Sequence, residues 1–223
     1  VKYACWFFRL FGGGVINAII NYAIKEKGIN IINPCFGLKK LKLDNERERF
    51  LNTDEIEILI EEIKDDSVLY MFVNLALNTG GRLETILSIQ KKNIDLMNNS
   101  VVLQDFKNKS NYRGFISQKF MPYLKEKIRE LGINDYVIGG SNTKYPTTSL
   151  QRKLKPIFDK NFNKGLDTKD AKNRVVIHSL RHTFASHLAI NGTPIFTIKK
   201  LLNHNKIEMT LRYAKLMPDS GRE

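Results

Sequence analysis

One turn-rich stretch, residues 94–116, interrupts a sequence whose apolar residues otherwise follow helical spacing. Three short strands are predicted within it, at 94–96, 101–106 and 113–116, because the segments MNNS and KNKSNY that separate them are rich in turn-forming residues. Strands joined by such short connections pair in antiparallel fashion. The sequence therefore predicts a mainly α (α+β) fold, a helical domain with a small three-stranded antiparallel β-sheet.

The segments on either side of this stretch predict helices. In FLNTDEIEILIEEI, Asn52 or Thr53 is the expected N-cap of a helix with an amphipathic apolar stripe. A more buried helix at about 67–78 is expected to end at Gly80-Gly81, and Thr193-Pro194 predicts a helix with Thr at the cap and Pro at the first helical position. Further helices are predicted at 15–27, 118–131, 148–163, 178–191, 194–203 and 207–216.

Charge is distributed unevenly along the chain. The formal net charge is +13, yet residues 44–66 hold ten acidic and three basic side chains, a local net charge of −7 that leaves +20 on the remainder. A strongly basic surface favours an anionic polymer as partner, and nucleic acid is the commonest one.

The amino-terminal residues do not resemble a membrane span or a signal peptide. The apolar opening VKYACWFFRLF is short, contains Lys2 and Arg9, and is followed by three glycines. We therefore expect a cytoplasmic protein, and one without a membrane partner.

All four histidines fall within 27 positions, at His178, His182, His187 and His204. Their spacing suits helix-borne metal ligands, but residues 171–207 contain no Asp or Glu, and six basic side chains lie among them. Such a positive environment disfavours a divalent cation and favours an anion. We expect no metal site here, and we expect His182 and His187 to be ordinary helix residues that face the core or solvent.

His178 and Arg181 are three residues apart and share one face of a predicted helix. A guanidinium can hold two oxygens of a phosphate, and an imidazole beside it can give or take one proton. The pair indicates a phosphate-binding site, although a basic protein could contain it by chance.

Further motifs lie at characteristic distances from this pair. The segment LNTGGRLETIL places Arg82 after a double glycine, LLNH ends at His204, and Tyr213 follows in TLRYAKL. This order and spacing resemble the signature of the tyrosine recombinases, the phage integrase family, over about residues 44–217. The resemblance implies the tyrosine-recombinase catalytic fold and a site-specific DNA recombinase or integrase.

The resemblance also implies a role for each matching side chain. Tyr213 would attack a DNA phosphodiester to form a 3′-phosphotyrosyl intermediate, and the phosphate would be held by both arginines. His178 would accept the tyrosine proton, and His204 would donate a hydrogen bond to the phosphate. A lysine on the turn between the second and third strands would protonate the departing 5′-oxygen; Lys107 is preferred because the family's lysine opens that turn, and Lys109 is the alternative. The family uses no metal or cofactor.

The sequence departs from the family pattern in two places near these residues. Family members usually carry an acidic residue three positions after the first arginine, where this chain has Thr85, with Glu84 one position earlier. Asn203 replaces the glycine that commonly precedes the second histidine. The support that normally orients the site is therefore expected to be missing or replaced.

Domain boundaries and partners follow from the same resemblance. Residues 1–34 are expected to be the remnant of an amino-terminal helical domain that clamps DNA, 35–52 a linker, and 53–223 the catalytic domain that breaks and rejoins DNA. The expected partners are double-stranded DNA and further copies of the chain in a homotetramer, in association with the bacterial nucleoid. Two alternatives are a type IB topoisomerase-like enzyme that relaxes DNA and a DNA-binding protein without catalysis.

Overall fold

The computed structural model describes residues 13–36, 49–106 and 109–218. The chain divides into two compact units, Val1–Glu46 and Arg47–Glu223. In the first unit, helix α1 (Gly13–Lys27) ends at Gly28, whose φ of 62° lies in the left-handed region that glycine tolerates. Most of the predicted linker lies outside the described residues.

The second unit is mainly helical, as predicted. Its helices are α2 (Thr53–Ile63), α3 (Ser67–Thr79), α4 (Leu83–Leu87), α5 (Met121–Ile128), α6 (Thr147–Asn161), α7 (Ile177–Ile190), α8 (Ile195–Leu201) and α9 (Glu208–Leu211). Short 3-10 helices cover Lys91–Asn93 and Ala214–Leu216. Among the described residues, no helix is both long and apolar enough to cross a membrane.

The predicted sheet is confirmed, with three antiparallel strands in chain order. Its strands are β1 (Ile94–Asp95), β2 (Ser100–Asp105) and β3 (Ser110–Phe115). Strand β3 begins three residues earlier than predicted, because its polar first half pairs in register with β2, from Gln104 opposite Asn111 to Asp105 opposite Ser110. Pairing with a neighbouring strand therefore outweighs the weak strand propensity of Ser-Asn.

The main core forms where α3 packs against α7, the central helix of the unit. Helix α3 is buried around most of its circumference, since Met71 and Val73, which point to nearly opposite sides of the helix, are both buried, and Leu180 of α7 belongs to the same cluster. Strand β2 adds Val101 and Leu103 from its inward face. A helix that is apolar around its whole circumference is expected at the centre of a domain.

A second, smaller core lies at the other end of α7. There Ala185 and Ala189 pack with Ile198, Leu202 and Tyr213. The small alanine side chains let α8 and the chain after α9 approach α7 closely. This packing brings the carboxy-terminal residues back to the helix that carries His178 and Arg181.

The helix predicted at 118–131 is shorter in the structure, where it covers Met121–Ile128, and three further differences lie after α7. Pro194, rather than Thr193, is the N-cap before α8, because its carbonyl accepts the first helical hydrogen bonds. The predicted helix 194–203 ends at Leu201, and Asn203 adopts a left-handed φ of 50°. The predicted helix 207–216 is divided into α9 and a 3-10 turn, with Tyr213 between them.

Asn52 is the N-cap of α2, where its side chain accepts a hydrogen bond from the Glu55 N–H at 2.8 Å and the Glu55 carboxylate accepts one from the Asn52 N–H. We expect Asn52→Ala to lower the free energy of unfolding by about 1 kcal/mol, because it removes the cap. Asn52→Asp, which keeps the acceptor, is the control. Urea denaturation of the three proteins measures the effect, and equal stability of the Ala and Asp variants would contradict it.

Candidate active site

Two glycines precede Arg82 and form the turn that positions it. Gly80 ends α3 with a φ of 63°, and a Cβ built there would lie 2.3 Å from the ring of Phe184. A Cβ on Gly81 would lie 2.4 Å from the side chain of Ile86. The chain can turn so tightly between α3 and α4 only because neither residue has a side chain. Arg82 then occupies the N-cap position of α4.

Arg181 is almost completely buried in the middle of α7, with 3% of its surface exposed. Its Nη1 donates to the Gly80 carbonyl at 2.7 Å, and its Nη2 donates to the Leu202 carbonyl at 2.6 Å. Both acceptors are neutral, so these bonds orient the guanidinium without neutralising it. Burial, and then the nearby charge of Arg82, lower the pKa of Arg181 from its ordinary value.

His178 lies in the first turn of α7, one turn before Arg181. It is exposed, and it lines a cavity of about 600 Å³ together with Arg82 and Arg181. The structure thus brings the two arginines and the first histidine of the motif to one opening, which is the arrangement that the sequence predicts for a phosphate site.

His204 follows the turn after α8 and is 8% exposed. Its Nδ1 lies 2.9 Å from the Oγ1 of Thr210, which is fully buried. Burial, followed by the charges of Arg181 and Arg82, lowers the pKa of His204 to about 3. The imidazole is therefore neutral at pH 7, and it can offer a hydrogen bond but no charge.

Tyr213 belongs to the small core and is 5% exposed. Its hydroxyl oxygen lies 2.8 Å from Nδ1 of His182. The ring of His182 also meets the ring of His178 edge to face, with centroids 4.9 Å apart. His182 therefore links Tyr213 to His178, which lies on the same helix as His182.

The prediction for the two remaining helix histidines holds only in part. His187 is structural, because its Nε2 lies 2.8 Å from the carbonyl oxygen of Leu51. His182 is buried as expected, but its contact with the Tyr213 hydroxyl places it at the site. The signal was present in the spacing, since residues four apart on a helix meet, and His182 is four residues after His178.

The two candidate lysines lie at the turn between β2 and β3. Lys107 lies outside the described residues. Lys109 is exposed, has a left-handed φ of 49°, and directly precedes Ser110 of β3. The choice between them stays a prediction.

The carboxylate partner of Arg82 is one that sequence reasoning missed. Glu84 is turned away from Arg82 and pairs with Lys144 at 2.7 Å. Thr85 is buried in α4 and supplies no charge. Instead Asp105, at the end of β2 and 1% exposed, forms an ion pair with Arg82. The alternation of β2 could have indicated it, since Asp105 shares the inward face of the strand with Val101 and Leu103.

Asn203, another residue that departs from the family pattern, reaches the same carboxylate. Its Nδ2 donates to Oδ2 of Asp105 at 3.0 Å and to Oγ of Ser110 at 2.9 Å.

Among the described residues, no three His, Cys, Asp or Glu side chains form a group that could hold a metal ion.

Comparison with known proteins identifies the family. Residues 49–219 match the phage integrase family. The chain is 30% identical over 213 residues to the "Probable integrase/recombinase" of Acholeplasma phage L2, covering 92% of this chain and 71% of that one. It is also 32% identical over 152 residues to the tyrosine recombinase XerA of Saccharolobus solfataricus. That match covers 68% of this chain and 47%, or about half, of the XerA sequence.

A solved structure shares the fold. A lambda integrase dimer bound to a COC′ core site superposes with a TM-score of 0.69 at 18% identity, covering 95% of this chain and 59% of that one. The predicted tyrosine-recombinase fold is thereby confirmed. Since the family match covers most of the chain, and the two arginines, two histidines and tyrosine of the motif lie on one helix and the turns beside it, the chain belongs to the phage integrase family of tyrosine recombinases.

Proposed function

We propose that this chain is a site-specific DNA recombinase that cuts and rejoins double-stranded DNA through a 3′-phosphotyrosyl intermediate, without a metal or cofactor. The observation that carries the proposal is the convergence of Arg82, His178 and Arg181 on one cavity. Tyr213 packs against α7, the helix of His178 and Arg181, and His204 lies close enough to both arginines for their charges to lower its pKa. The integrases and tyrosine recombinases among the similar proteins support it, and they favour recombination over the topoisomerase and DNA-binding alternatives.

The two arginines would supply the counter-charge for the reaction. Attack on a phosphodiester gathers negative charge on the nonbridging oxygens, and donors oriented in advance stabilise that charge most effectively. The carbonyls of Gly80 and Leu202 hold Arg181 in place before any substrate arrives. About a quarter of the Arg82 side chain is exposed, and Arg82 lines the cavity. The buried carboxylate of Asp105 forms an ion pair with its guanidinium.

The tyrosine would act as the nucleophile. Its hydroxyl attacks phosphorus, the bond to the 5′-oxygen breaks, and the phenolic proton passes to His178. The departing 5′-oxygen takes a proton from Lys107, with Lys109 as the alternative donor. Because the Tyr213 hydroxyl is buried against His182, it has to become accessible when DNA binds.

The wider assembly is also part of the proposal. We propose that residues 1–34 belong to a DNA-clamping domain, 35–52 to a linker and 53–223 to the catalytic domain. We further propose that the protein acts as a homotetramer on the nucleoid in a bacterial cytoplasm. The DNA-bound lambda integrase supports the DNA partner.

Covalent capture of DNA tests the proposed nucleophile. Duplex DNA from the flanks of the gene, nicked so that a short 5′-hydroxyl strand diffuses away, is incubated with the protein in EDTA. We expect an SDS-resistant protein–DNA band with the wild type and none with Tyr213→Phe, because the nucleophile is lost while the phosphate site remains. A band that persists in the Phe variant would contradict the assignment of Tyr213, and no band with the wild type would contradict the proposed reaction.

Folding of the Phe variant has to be checked, because the Tyr213 hydroxyl contacts His182. Loss of this hydrogen bond is expected to cost about 1 kcal/mol of unfolding free energy. Retention of DNA binding in a gel-shift assay shows that a missing band reflects chemistry rather than misfolding.

The pH dependence of stability tests the neutral state of His204. Because the folded-state pKa of about 3 lies below the ordinary 6.5, the unfolded chain binds an extra proton between these values. The free energy of unfolding should therefore fall as the pH is lowered from about 6.5. In His204→Asn, which keeps a polar group near Thr210, this fall should be smaller.

Urea denaturation at pH 7.5, 6 and 5 measures both proteins. Carboxylates that titrate in this range affect the two proteins alike, so the difference between their slopes isolates His204. Equal slopes would contradict the low pKa.

A further inference from the structure

Asp105 carries a carboxylate in a place where an isolated charge would be unstable. Its side chain is 1% exposed at the inward end of β2. A buried carboxylate persists when it is paired and hydrogen-bonded, and Asp105 has both the Arg82 guanidinium and the Asn203 amide as partners. The carboxylate thus joins the first motif arginine to the turn that carries His204.

From these contacts we infer that Asp105 and Asn203 act together as positioning residues for Arg82 and His204, in place of the acidic residue that is absent at position 85. The inference rests on the proposed function. Neither residue touches the reacting atoms; both act through the side chains that do.

Asn203 suits this role because of its backbone as well as its side chain. Its φ of 50° is left-handed, a conformation that Asn adopts more readily than most residues other than glycine. Glycine could make the same turn but could not donate to Asp105 and Ser110. The asparagine therefore adds two side-chain hydrogen bonds, which attach the turn before His204 to the ends of β2 and β3.

Arg181 connects the same two turns from the other side. It binds the carbonyls of Gly80 and Leu202, the residues that lie two positions before Arg82 and two before His204. The turn before Arg82 and the turn before His204 are thereby joined twice, once through Arg181 and once through Asp105 and Asn203. A shift of either turn would have to break hydrogen bonds on both routes, so both arginines and His204 keep one relative arrangement.

The test is a double-mutant cycle on the rate of covalent capture at saturating nicked DNA, with Asp105→Asn, Asn203→Gly and the double variant. Asn203→Gly keeps the left-handed turn and removes only the amide. Asn99→Gly is the matched control, because Asn99 also has a left-handed φ, of 47°, and lies in the turn between β1 and β2. DNA affinity and thermal stability are measured for every variant.

We expect Asp105→Asn to slow capture by roughly 10- to 100-fold, since a small misplacement of a group that holds the transition state has effects of this size. Asn203→Gly should slow it by about 3- to 10-fold, and the double variant should be slower than Asp105→Asn by less than that factor, because Asn203 acts in part through Asp105 and in part through its bond to Ser110. DNA affinity should stay within about threefold, as an effect confined to the chemical step requires. Asn99→Gly should match the wild type.

The other outcomes are distinct. Wild-type rates in both single variants, or losses that multiply in the double variant, would overturn the inference and leave the proposed function intact. Losses that follow thermal stability and DNA affinity would reduce Asp105 and Asn203 to structural residues and would also overturn it. No capture by the wild-type protein would overturn the proposed function, and the inference with it.

Discussion

The buried guanidinium of Arg181 is the contact on which the site depends. Its two hydrogen bonds to the carbonyls of Gly80 and Leu202 join the end of α3 to the end of α8 through the middle of α7. A buried cation bound only to neutral groups has a cost in desolvation. Such a cost is retained where the charge is needed, and here the uncompensated charge faces the cavity that Arg82 and His178 share.

Charge balance in the site explains why His204 is neutral and how a phosphate would change it. Two guanidiniums, those of Arg181 and Arg82, lie near the imidazole, and Asp105 forms an ion pair with Arg82. A proton on His204 is therefore disfavoured by repulsion as well as by burial. A phosphate group would reduce that repulsion. The charges of the site therefore favour the binding of an anion and disfavour a proton on His204.

The parts of the molecule that could be predicted from sequence are those with local causes. The cap at Asn52, the left-handed glycine after α3 and the turn-separated strands each depend on neighbours a few residues away. The motif residues were predicted from the resemblance of their order and spacing to the signature of the family. The two site contacts that were missed are long-range: Asp105 meets Arg82 across 23 residues, and His182 meets Tyr213 across 31. Periodicity places Asp105 on the inward face of β2 and His182 beside His178, but the residue that each side chain meets across the fold is set by tertiary packing.

The position of Tyr213 follows from the same packing. The tyrosine sits in the small core with Ala185 and Leu202, so the helix that carries Arg181 also supports the proposed nucleophile. Exposing the hydroxyl to DNA requires that the contact with His182 be exchanged for a contact with the phosphate. The core around the ring can remain intact during this exchange, because only the polar tip of the side chain has to change partner. Arg181, one of the two arginines proposed to bind the phosphate, and His182, which contacts the Tyr213 hydroxyl, are adjacent on α7, so binding of the anion and release of the hydroxyl would act on a single helix.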